Sequence, residues 1–145
     1  MKKIIFFISI IILAVIAVFV WCWFTIRVST NFATEARLEF HYRAVPGGHN
    51  PDTNISVVIT DEDELSILKE ILRGWSFRDH FHCGFSTEIS ITMANGDRSI
   101  MFFPAHDGCP ILRIGDSDRY IIISEEQRIA LRQLLEWHGM FFPFI

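Results

Sequence analysis

The chain has 145 residues, 50% of them hydrophobic, with 13 Lys+Arg against 17 Asp+Glu and a formal net charge of −4. All 17 acids lie from Glu35 onward beside 10 of the Lys+Arg, so that part carries 10 − 17 = −7. An acidic domain of about 110 residues has room for one core, and its charge argues against nucleic acid and against tight docking on anionic lipid.

Ile4 to Ile26 are 23 consecutive uncharged residues, flanked by Lys2, Lys3 and Arg27. At about 1.5 Å per residue the run makes a helix of roughly 34 Å, enough for a ~30 Å hydrocarbon core. It predicts a membrane anchor over residues 1–27, with the lipid bilayer as the partner of residues 4–26. A cleaved signal fits less well, because the run is too long and its exit through Trp21, Trp23 and Phe24 is bulky. Lys2 and Lys3 outweigh Arg27, so the positive-inside bias predicts a single pass through the cytoplasmic (inner) membrane with the N-terminus inside. Residues 28–34 then read as a linker and 35–145 as an extracytoplasmic domain.

Within that domain, residues 36–43 alternate apolar and polar with the period of a half-buried strand, and residues 55–59 read as a second strand. Residues 45–52 are turn-rich. Thr60 followed by Asp63 predicts a capping box and a helix whose stripe is Leu65, Leu68, Ile71 and Leu72, closed by Gly74. Ile89, Ile91 and Met93 alternate with polar residues up to Asn95-Gly96, a two-residue hairpin signal. That turn would place Ile91 opposite Ile100 and Ile89 opposite Phe102. Two short strands follow, at 111–114 and 120–123. Ser124 with Gln127 forms a second capping box before a helix carrying Leu131, Leu134 and Leu135, which Gly139 ends. The apolar tail after it is expected to pack onto the core.

These elements predict an α+β protein: an N-terminal transmembrane helix, then an antiparallel sheet of five to six strands with two helices on one face. From the second strand onward their order resembles the helix-on-sheet arrangement of TATA-binding-protein-like and cystatin-like folds. That resemblance implies topology and no function.

The same hairpin register gathers His80, His82, Cys83, His106 and Cys109 at one open end. Cys83 and Cys109 are the two cysteines outside the apolar run, which predicts a disulfide between them. Two alternatives stand beside it: a zinc-like site on His82, Cys83, His106 and Cys109, and a pair of free thiols. No catalytic residue is assigned. His82-Cys83 are strand neighbours that point to opposite faces, the paired acids sit at helix starts, and no phosphate-binding or nucleophile-elbow motif occurs.

Trp75 and Phe77, in an aromatic connection, and Met101 and Phe103, on the sheet face away from the helices, are candidate partner contacts. The expected function is a membrane-anchored, non-catalytic recognition or accessory module of the cell envelope that binds a protein or peptide. The alternative is an envelope metal or redox sensor at the cysteine–histidine corner.

Overall fold

The computed structural model describes residues 2–42, 53–79, 83–85 and 88–140. Helix α1 spans Lys2–Phe24 and runs directly into strand β1, Thr25–Val28. The remaining elements are β2 (Glu35–Tyr42), β3 (Thr53–Ile59), α2 (Glu62–Ile71), β4 (Gly74–Arg78), β5 (Ile89–Asn95), β6 (Arg98–Pro104), β7 (Ile111–Ile114), β8 (Arg119–Ile122) and α3 (Glu125–Trp137). The eight strands form one antiparallel sheet in the order β1-β4-β8-β7-β6-β5-β2-β3.

The expected bilayer-spanning segment at Ile4–Ile26 is corrected, and with it single-pass anchoring in the cytoplasmic membrane. Among the described residues no helix is long and apolar enough to cross a membrane. The apolar run changes structure before it ends: the Thr25 hydroxyl donates to the Trp21 carbonyl oxygen at 2.8 Å, and Thr25 and Ile26 then pair with Phe77 and Ser76. The described side chains of α1, Phe7 to Cys22, are all exposed.

The α+β content holds, but the expectation of five to six strands is corrected to eight among the described residues. The additional strands are β1 and β4, which pair with each other, while β4 also pairs with β8. β4 inverts the usual pattern of apolar residues inward. Its inward positions are Gly74 and the fully buried Ser76, whereas Trp75 is exposed. A Cβ at Gly74 would lie 3.0 Å from Cγ2 of Ile121, so the neighbouring strand leaves no room for bulk. Ser76 Oγ donates to the Ile26 carbonyl oxygen at 2.7 Å, which removes the cost of burying a hydroxyl.

The β5–β6 turn is Gly96-Asp97, not Asn95-Gly96, and Gly96 adopts a φ of +55°. Glycine at the first turn position is the type II′ pattern. The register therefore moves by two residues: Ile91 faces Phe102 and Met93 faces Ile100. A shift of two preserves which side chains face inward.

Helices α2 and α3 cover one face of the sheet. Leu65, Leu68, Ile71, Leu131, Leu134 and Leu135 meet Leu38, Ile91, Met93, Phe102, Leu112 and Ile121 in one core. Asp61, rather than Thr60, caps α2, accepting the N–H groups of Asp63 and Glu64 at 3.1 Å. In α3 the Ser124–Gln127 box forms as the sequence predicts. Gly139, at φ +78°, ends the helix: its N–H bonds the Glu136 carbonyl oxygen and that of Met140 the Leu135 carbonyl oxygen, a Schellman closure. Met140 is fully buried. The tail at 141–145 and the turn-rich 45–52 stretch lie outside the described residues.

Six strand spacings separate β1 from β2, about 29 Å in a flat sheet. The chain makes that journey from Val28 to Glu35 in seven residue steps, at most about 25 Å. The sheet must therefore curl around α2 and α3. The connecting segment crosses the open side, where Ala33 is buried and Phe32 packs on the core. Thr30 Oγ1 donates to the Lys69 carbonyl oxygen at 3.2 Å, and Asn95 Nδ2 to that of Phe32 at 2.9 Å.

Candidate functional site

Two regions of the sheet gather the residues singled out from the sequence. In the first, Cys83 and Cys109 form a disulfide with a Cα–Cα distance of 6.4 Å. Closing this loop stabilises the fold by about 3.5 kcal/mol in the chain-entropy account. The two segments are also held together without it. Phe85 pairs with Ala105 in an antiparallel bridge, and the His106 N–H donates to the Gly84 carbonyl oxygen at 2.9 Å. Gly84 N–H donates to Asp107 Oδ2 at 2.7 Å, and Cys109 N–H to Asp107 Oδ1 at 3.2 Å. One carboxylate thus braces the backbone beside both cysteines.

Burial is the largest single influence on the Asp107 carboxyl and pushes it upward. The backbone N–H groups of Gly84, Cys109 and Asp107 itself outweigh that push, with help from the charge of His106, and hold it below its ordinary value of 3.8. The His106 side chain lies flat on Gly84: a Cβ there would stand 2.5 Å from Cε1 and 2.6 Å from Nε2 of the ring. Glycine at 84 is what admits the imidazole.

Of the four residues considered for a metal, Cys83, His106 and Cys109 fall within this corner and His82 lies outside the described residues. Among the described residues the donors that converge are Cys83, Asp107 and Cys109, whose ligand atoms lie within 4.8 Å of one another. Asp107 was missed in the sequence reading. Its only local signal is the Asp-Gly turn before Cys109, where the carboxylate accepts the N–H two residues on.

The second region is the sheet face opposite the helices. Trp75, Phe77, Met101 and Phe103 all point to it, with different exposure. Trp75 is 62% exposed and Met101 38%, whereas Phe77 is half-buried and Phe103 is 6% exposed. Phe77 and Phe103 belong to a small aromatic cluster covered by the segment that carries Phe85. Tyr120 lies 6.4 Å from Phe77 and 5.3 Å from Phe85, centroid to centroid. The Arg113 guanidinium sits 4.9 Å from the Phe103 centroid and 5.6 Å from that of Phe85. Its Nε is buried and has no hydrogen-bond partner among the described residues, so the ring faces supply its compensation.

Beside this cluster runs an exposed row. Arg27 pairs with Trp75 across β1 and β4, and the β4–β8 register continues Trp75 onto Ile122, which is 63% exposed. Arg27 was read from the sequence only as a membrane flank. Comparison of the chain with family models, with curated proteins and with solved structures finds no match.

Proposed function

We propose that this chain is a non-catalytic recognition domain that binds a protein or peptide through the sheet face opposite its helices. The observation that carries this reading is the row Arg27–Trp75–Ile122. A tryptophan and an isoleucine, each more than 60% exposed, stand side by side on neighbouring strands next to a guanidinium. Tryptophan and arginine are the residue types that dominate binding energy at protein interfaces, where they fill pockets on the partner. The matching partner offers an apolar side chain to Trp75 and Ile122 and a carboxylate to Arg27. The rigid sheet underneath, with Ser76 and Ile121 locked in the core, keeps the ordering cost of such a contact low.

The test places a photo-crosslinker at Thr25, on the same face as Arg27, in the full chain. An adduct with one protein, lost in Trp75→Ala and Ile122→Ser at unchanged thermal stability, supports the reading. For a Trp at the centre of an interface the expected loss is about 2 kcal/mol, roughly thirtyfold in affinity. Adducts that survive both substitutions refute it.

A further inference from the structure

We propose that the Cys83–Cys109 corner is a reduction-gated site for a thiophilic divalent cation, with the two thiolates and the Asp107 carboxylate as its protein ligands. The site is independent of the Arg27–Trp75–Ile122 row and uses a donor that the sequence reading did not include.

Three observations support it. First, the two sulfurs and a carboxylate oxygen already converge within 4.8 Å. Zinc-type bonds of about 2.3 Å to sulfur and 2.0–2.2 Å to oxygen require ligand atoms roughly 3.5–3.8 Å apart in a tetrahedron. Side-chain rotation at the two cysteines reaches that arrangement once the S–S bond opens.

Second, the cysteines stay opposed after reduction. The Phe85–Ala105 bridge, the bond from His106 N–H to Gly84 and the bond from Gly84 N–H to Asp107 all join the two segments without the disulfide.

Third, the carboxylate is oriented in advance. Asp107 Oδ2 accepts the Gly84 N–H and Oδ1 the Cys109 N–H, and even with its own N–H counted the carboxylate keeps a lone pair for a cation. This is the arrangement by which outer hydrogen bonds fix a metal ligand. Access is open, since Asp107 is exposed and both cysteines are half-buried. A water completes the shell.

The chemistry balances. A dithiol reductant passes two electrons and two protons to the Cys83–Cys109 bond and closes its own disulfide, leaving two thiols. The cation then displaces both thiol protons and forms two metal–sulfur bonds and one metal–oxygen bond. The oxidised corner has no thiolate and does not bind.

The test uses the full chain carrying Cys22→Ser, because Cys22 is the one other cysteine in the sequence and is exposed. The protein is reduced with dithiothreitol, desalted without oxygen and titrated with cadmium, whose thiolate charge-transfer band reports binding. One equivalent bound to the reduced protein, none to the oxidised protein, and at least tenfold weaker binding in Asp107→Asn support the site. No band, equal binding in both redox states, or undiminished affinity in Asp107→Asn each overturns it. Circular dichroism covers the case in which reduction unfolds the chain: recovery of the folded signal on adding cadmium supports the proposal, and failure to recover overturns it.

Discussion

The carboxylate of Asp107 accepts the backbone N–H of Gly84 at 2.7 Å, bridging 23 residues of chain between β4 and β7. Because that bond and the one from Cys109 favour the ionised form, Asp107 titrates below 3.8 in the folded protein. The stability it contributes is complete above its unfolded value and disappears as pH falls through the lower folded one. Thermal melts stepped from about pH 5 to pH 2 will fall more steeply for the wild type than for Asp107→Asn. Parallel curves for the two proteins count against the brace.

Gly84→Ala forces the His106 ring off the backbone. Because the imidazole is exposed and can swing into solvent, the loss is modest, about 1 kcal/mol in denaturant unfolding. Adding His106→Ala removes the obstacle, so the double variant recovers most of the loss. A double variant as unstable as the sum of its parts contradicts the packing described.

Phe102 is fully buried between Ile91 and Ile114 on the neighbouring strands, beneath both covering helices. Phe102→Ala leaves a cavity where the sheet meets those helices and lowers unfolding free energy by about 4 kcal/mol. Met101→Ala, the next residue but on the other face, is expected to cost less than about 1 kcal/mol. Equilibrium unfolding in urea separates the two, and similar losses would contradict the assignment of faces.

Ser124→Ala removes the acceptor for the Gln127 N–H and leaves only the reciprocal bond from the backbone N–H of residue 124 to Gln127 Oε1. The expected loss is about 1 kcal/mol, with the earliest amide exchange in the first turn of α3. Unchanged exchange protection there argues that the cap is redundant.

The elements readable from sequence are those set by local chemistry. The Ser124–Gln127 box, the alternation in β2 and β5, and the pairing of two cysteines outside an apolar run need only neighbours in the chain or a count. The failures are cases where distant contacts decide. Thr25 and Ile26 look continuous with the residues before them, and only pairing with β4 turns them into a strand. In β4 the inward positions are Gly74 and the buried Ser76, so its hydrophobic pattern points the wrong way; the cause is Ile121 pressing from β8. Asn95-Gly96 carries the stronger hairpin signal, yet the partners across the sheet favour the turn one residue later. At the cysteine corner the disulfide was legible, whereas the carboxylate that braces it acts on Gly84, a relationship no local spacing encodes.

The Ser29–Thr34 passage across the mouth of the curled sheet works as a tether of fixed length. Inserting a few residues costs little, because loop entropy grows only logarithmically. Deleting two has a different outcome: the shortened strap cannot reach, and either β1 peels from β4 or the curvature tightens onto the helices. A strap of six residues thereby sets how tightly the rest is bent.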